Sequence, residues 1–405
     1  MHVSRFLSQW LLRHRLISHC TRAASLVKSV EPLLCGGKLS LTHLGRRRPG
    51  SALVKHQIKA VDRLLGNRHL HAERQGIYKA IARTLLSGLR RPVLIVDWSD
   101  FELRREWLML KAAVPIDGRA LTVFEQAYPF SQYNSPRAHR TFLQALRDVL
   151  PADCRPIIIT DAGFRGPWFR EVASHGWDWV GRIRNRIKYF NPSTGRWCYT
   201  DSLYKHATST TRHLGEVNLS KRRRYTTRLY LVRSTQPPRP LSKRPRRTKR
   251  QNNDTQYRRL YRAPWLLATS LPHHKHSCRL IKRLYSQRMQ IEESFRDIKN
   301  HRWGFGLRYA RCWSGKRLEV LLLISTLAML TLWLVGLHGH QTGVARHFQA
   351  NTERRRPVLS TVFLGQQLLL RQDTLPALQQ LRHLLRHLKR LISNAALGPL
   401  FVGIP

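Results

Sequence analysis

The chain has 405 residues, with 72 Lys and Arg against 23 Asp and Glu, for a formal net charge of +49. Self-repulsion on that scale calls for a polyanion, and nucleic acid fits because its phosphates bind a basic surface while releasing counterions. The 42% hydrophobic content excludes a disordered basic tail and leaves material for packed cores, in about two or three domains. A ribosomal or packaging protein, or a basic membrane-surface protein, would share this balance. The cysteines at 20, 35, 154, 198, 278 and 312 form no CxxC pair, which points away from a zinc or redox site and towards a reducing cytosol.

Residues 1–75 alternate short apolar helices with basic turns. Trp10, Leu11 and Leu12 are cut short by Arg13, His14 and Arg15, so no signal-peptide core forms. Residues 39–45 and 51–65 read as two helices joined by the basic loop 46–50, and the second carries Lys55, His56, Lys59 and Arg63. A helix-turn-helix docking on duplex DNA has this layout. A plain helical hairpin has it too, and the sequence does not choose between them.

Residues 92–97 form an apolar run that ends on Asp97, with Asp100 expected beyond the strand end. Strands follow near 107–115 and 120–127 around an Asp117-Gly118 turn. Ser135 caps a helix with Pro136 at its first position that ends near Leu150. Residues 156–161 form a second apolar strand that ends on Asp161, and a helix is expected near 167–174. From 177 to about 261 the pattern is β-like and broken, and a Pro/Arg/Lys tract at 236–251 reads as a disordered basic loop. Residues 265–269 resume as a core strand. The order describes a mixed α/β sheet with helices on both faces.

The segment 285–299 reads as one helix, with Leu284, Ile291, Phe295 and Ile298 as its buried stripe. On such a helix Tyr285, Arg288, Glu292 and Lys299 share an arc of roughly 60°, with Glu293 and Asp297 on the solvent side. Residues 320–337 carry no charge, which is the lower edge for a spanning helix; Ser325, Thr326 and Thr331 favour a buried helix of a large domain instead.

Asp97, Asp161 and Glu292 together offer hard oxygen ligands for Mg²⁺, with Mn²⁺ as a substitute. Two such ions about 4 Å apart can activate a nucleophile and stabilise the leaving oxygen of a phosphodiester. Each acid also has a structural alternative: Asp97 as a cap before Trp98 and Ser99, Asp161 as an Asx-turn residue before Gly163. His273, His274 and His276 read as a polar loop.

Tyr285-x2-Arg288-x3-Glu292-x6-Lys299 resembles the YREK signature of the insertion-sequence-four family of bacterial DDE transposases. Residues 94–100 and 160–164 are similar to that family's first and second acid motifs, and residues 62–71 and 347–352 resemble its insertion-sequence-ten branch. The resemblance runs from roughly 35 to 365 and weakens in the basic ends, including 382–390. It implies a ribonuclease-H-like, retroviral-integrase-like core over 76–176 and 262–315, with a β-rich insertion over 177–261. A DNA-binding region for terminal repeats would occupy 1–75, and a helical region contacting DNA and the other subunit 316–405. The implied activity is cut-and-paste transposition: nicking, hairpin formation, hairpin opening and strand transfer by a homodimer on terminal inverted repeats and target DNA, in the cytoplasm at the nucleoid and without a membrane. The resemblance gives Trp265 a flipped base to stack on and Tyr285, Arg288 and Lys299 the phosphates. Met289 would wedge into the vacated space; some relatives carry Trp there. A magnesium nuclease on the same core and a non-enzymatic DNA-binding protein are the alternatives.

Overall fold

The computed structural model describes residues 2–397 except 14, 102–105, 185, 193, 234–262, 354–355, 357 and 372–374. The basic loop expected at 236–251 lies outside the described residues. Helices α1 (His2–Arg13), α2 (Cys20–Leu34), α3 (Leu41–Arg46), α4 (Val54–Leu65) and α5 (Arg68–Leu86) precede strands β1 (Val93–Asp100), β2 (Trp107–Ile116) and β3 (Arg119–Pro129). Helix α6 (Pro136–Val149), β4 (Ile157–Thr160), α7 (Gly166–Ser174) and β5 (Asp178–Ile183) follow. Then come β6 (Lys188–Asn191), β7 (Arg196–Tyr199), β8 (Arg212–Leu219), β9 (Tyr225–Val232) and β10 (Trp265–Thr269). Helices α8 (Ser277–Ser286), α9 (Met289–Lys299), α10 (Gly315–Gln341), α11 (Thr361–Arg371) and α12 (Leu378–Leu397) follow among the described residues.

Contacts divide the chain into two units, one of residues 157–288 and one of the described residues on either side. Within the first unit α5 and α10 both pack on β3, which ties the flanking helices to the first strands.

In the first unit β1, β2 and β3 are antiparallel, with Ile95 opposite Ala113 and Lys111 opposite Glu125. Asp117 and Gly118, at φ 41° and 76°, make the tight turn between β2 and β3. Ser135 caps α6 by accepting from the Ala138 N–H. Helix α10 forms the centre of this unit against α2, α11 and β3. It is long and apolar enough to cross a membrane, but its most apolar stretch is wholly buried inside the protein. A polar network crosses this core. Lys111 and Glu125, each 0% exposed, meet at 3.0 Å, and Glu125 also accepts from Tyr78 at 3.0 Å and Thr326 at 2.6 Å.

In the second unit seven strands lie in the order β4-β5-β10-β9-β8-β6-β7. β4 and β5 are parallel, and β10 is antiparallel to both β5 and β9. The broken β-like pattern after Trp177 thus resolves into β5 to β9. Helix α7 covers β5 through Phe169, whose ring stacks on Trp179 at 4.1 Å.

Candidate active site

The cross-strand row Asp97–Lys111–Glu125 places these three residues on one face of β1, β2 and β3. Lys111 Nζ lies 5.4 Å from the Phe295 ring of α9, so Asp97 stands on the face that α9 covers. Asp97 does not end its strand as the sequence suggested, because β1 continues to Asp100 opposite Leu108. The apolar run stops at Val96 while backbone pairing goes on, and hydropathy reports only the first. Asp97 is half-buried, and its Oδ1 accepts from the Trp98 N–H at 2.8 Å.

The next residue faces the other way. Trp98 packs edge-on to Tyr128 and Tyr133, and its indole N–H donates to His139 Nε2 at 3.3 Å. Burial lowers the His139 pKa from 6.5 to about 4, so the ring is neutral and can accept. The folded pKa lies below the unfolded one, so stability is complete above 6.5 and falls as pH drops towards 4. This group is expected to remove about 2 kcal/mol of stability between pH 6.5 and 5. Urea unfolding of His139→Gln, compared with wild type across that range, should show a shallower decline.

The single helix expected over 285–299 is two. Helix α8 ends at Ser286, Gln287 and Arg288 form a turn, and α9 starts at Met289. The shared arc of Tyr285, Arg288, Glu292 and Lys299 therefore does not hold across the turn. Gln and Arg are good helix formers and no Gly or Pro marks the break; the division between the two units falls at the same place.

Within α9 the buried stripe is Ile291, Phe295 and Ile298, as expected. Ser294 fixes the helix on β3, donating to the Ala120 carbonyl at 2.9 Å and accepting from its N–H at 2.7 Å. Asp297 is held at 2.6 Å by Arg119 of β3, and Glu293 also pairs with Arg119 and with Arg296. Both acids were expected on the solvent side. They are part-buried instead, because Arg119 supplies a partner along that edge. Burial raises the Asp297 pKa, opposed by Arg119.

The opposite edge of α9 faces β1. Lys299 Nζ donates to Ser99 Oγ and Asp100 Oδ1, both at 2.7 Å. Burial lowers its pKa, and Asp100 opposes the fall. Glu292 lies two helical turns before Lys299, on the same stripe. It is exposed. This unit thus brings Asp97 and Glu292 to the β1–α9 side.

In the second unit Asp161 directly follows β4 and is half-buried. Its Oδ1 accepts from the Gly163 N–H at 2.7 Å, the Asx-turn bond foreseen as the structural alternative. That bond fixes the carboxylate and leaves Oδ2 for other partners. Tyr285 of α8 is only 5% exposed, and its ring meets Trp265 edge-on at 5.0 Å. Burial raises its pKa, Arg288 and Arg182 oppose the rise, and Asp161 adds to it. Trp265 and Arg288 are half-buried; in the first unit, so is Met289.

Arg182 was missed. It is 8% exposed and donates to the Ala263 and Pro264 carbonyls at 2.9 and 3.3 Å, just before Trp265. The available signal was a lone charge inside the apolar run 179–183.

The candidate nucleic-acid contacts Lys55, Lys59 and Arg63 are all exposed along one side of α4. Gln57, Val61, Leu64 and Leu65 are buried on the other. The loop arginines are partly structural: Arg48 donates to Gln57 and Ser25, and Arg47 to the Cys35 carbonyl.

Among the described residues, no three or more His, Cys, Asp or Glu side chains cluster so as to hold a metal ion. In donor chemistry Asp97, Asp161 and Glu292 fit a hard divalent cation that keeps several waters, since carboxylate oxygens are its preferred protein ligands.

The first unit carries Asp97 on a strand and Glu292 on a helix, and the second carries Asp161 just after a strand. Residues 88–330, more than half of the chain, match the family model described as transposase DDE domain, and the chain belongs to that family. Family membership supports a transposase function with DNA as substrate. No curated protein matches the chain.

Proposed function

We propose that this protein is a cut-and-paste transposase of the insertion-sequence-four type, with a ribonuclease-H-like core in which Asp97, Asp161 and Glu292 form one catalytic centre. The observation that carries the reading is the α9 geometry: Lys299 is bonded at the end of β1, and Glu292 occupies the same helical stripe on the side where Asp97 stands. The three carboxylates would hold Mg²⁺, which when bound supplies Lewis-acid chemistry for in-line phosphoryl transfer. The chain's own residues do the rest. The backbone bonds to Asp97 and Asp161 keep those carboxylates oriented. Lys299 and Arg288 supply positive charge for phosphates. Trp265 offers a ring to a base leaving the stack at a strained hairpin, while Tyr285 backs that ring. Nicking, hairpin closure, hairpin opening and joining then differ only in the attacking oxygen.

The test is cleavage of linear DNA carrying the element's end with Mg²⁺. A covalently closed hairpin from wild type, lost in Trp265→Ala, supports the transposase reading. Nicks without hairpins in both proteins favour the plain nuclease.

Helix α4 is proposed as part of the terminal-repeat contact. Replacing Lys55, Lys59 and Arg63 together by Ala should weaken duplex binding and reduce the salt dependence of log K by about three, one per lost phosphate contact. An unchanged salt slope, measured by fluorescence anisotropy, would remove α4 from the DNA face.

A further inference from the structure

Residues 300–314, between α9 and α10, have no role in the account above. They hold three large aromatic side chains in solvent: Trp303 is 70% exposed, Tyr309 57% and Trp313 52%. Arg302, Arg308 and Arg311 alternate with them and are also exposed. The Arg302 guanidinium sits 4.8 Å from the Trp303 ring centroid, and His301 meets Tyr309 edge-on at 4.6 Å.

The segment is a built strap. Asn300 Oδ1 accepts from the N–H groups of Arg302 and Trp303 at 2.8 and 2.9 Å. The Phe305 N–H donates to the Asp297 carbonyl at 2.9 Å, and Leu39 and Lys38 bond to the Phe305 and Gly304 carbonyls, both at 2.7 Å. Phe305 and Leu307, 3% and 1% exposed, anchor it in the core. Any side chain at Gly304 would sit 1.9 Å from the Asp297 carbonyl oxygen, and Gly306 has φ 68°. A backbone fixed in this way presents its aromatic rings with little further ordering cost on binding.

The strap is also connected to the candidate site. Arg308 lies 3.7 Å from Asp100 Oδ1, the same atom that accepts from Lys299. We propose that the strap is a stacking platform for unpaired bases of a DNA strand, with Trp303 and Tyr309 on base faces and the arginines on phosphates; this rests on the DNA-processing reading and adds a surface to it. Residues 298–318 hold no acid, which matches a polyanion and opposes a second copy of this basic chain. Base faces are already stacked inside a duplex, so exposed rings select strands with free bases.

The experiment is fluorescence anisotropy of the full chain in EDTA, so that binding is read without cleavage. The probes are a blunt duplex, the same duplex with a single-stranded tail, and the tail oligonucleotide alone. Trp303→Ala/Tyr309→Ala is expected to bind the tailed duplex and the oligonucleotide about tenfold or more weakly, and the blunt duplex within about twofold. Trp303→Phe/Tyr309→Phe should keep most of the affinity. Equal loss on all three probes, no loss on any, or a Phe pair as weak as the Ala pair would each overturn the proposal. So would unchanged tail binding accompanied by altered sedimentation of the DNA-free protein, which would assign the strap to self-association. Because metal is absent, a failure here leaves the catalytic reading standing, and the converse also holds.

Discussion

Asp97→Asn, Asp161→Asn and Glu292→Gln are each expected to lower cleavage of end-bearing DNA on the order of a thousandfold or more, with DNA binding kept within about twofold. The isosteres isolate charge from structure. Asn at 97 still accepts from the Trp98 N–H, and Asn at 161 still closes the turn onto Gly163, so strand β1 and the turn after β4 keep their form. Groups that act as one centre are not additive, so a double variant should be little worse than either single one. Asp100→Asn provides the contrast. It removes the charge partner of Lys299 without touching the proposed ligands. Single-turnover gel assays that found Asp100→Asn inactive and Asp97→Asn active would exchange the roles of the two acids.

Lys111→Met is expected to destabilise the protein by about 3–5 kcal/mol in urea unfolding, because it strands the Glu125 carboxylate in the core. The pair is 0% exposed on both sides, and the ammonium and carboxylate meet at 3.0 Å, so each is the other's charge partner in the core. Lys111→Met/Glu125→Leu should recover much of the loss, since a buried ion pair is often no better than apolar groups of similar volume. A double variant as unstable as Lys111→Met would mean that the Tyr78 and Thr326 hydroxyls depend on Glu125 more than the ion pair does. Lys111 is the cross-strand neighbour of Asp97, so the unfolding result bears on how firmly that strand is held.

Elements with simple periodicity were legible. The apolar runs at 92–97 and 156–161 gave β1 and β4, the Ser135-Pro136 pair gave the start of α6, and the uncharged run at 320–337 became the buried middle of α10. What tertiary contacts decide was not legible. The Gln287–Arg288 break interrupts a sequence that suits one long helix. Asp297 and Glu293 acquired a partner, Arg119, almost two hundred positions away in the chain. The three candidate carboxylates stood out because acids are scarce here and two follow apolar runs. The roles of Arg182, Ser294 and Asp100 were not legible, because they are hydrogen bonds to distant backbone and side chains.

The proposed centre of Asp97, Asp161 and Glu292 is expected to join DNA strands as well as cut them. Its most direct test supplies a pre-cut element end with a free 3′-OH, a supercoiled target plasmid and Mg²⁺, and measures covalent joining on a denaturing gel. Wild type is predicted to join the end to the target, and Asp161→Asn to bind both DNAs and join none. Nicked plasmid without joined product, or joining that survives Asp161→Asn, would contradict the account.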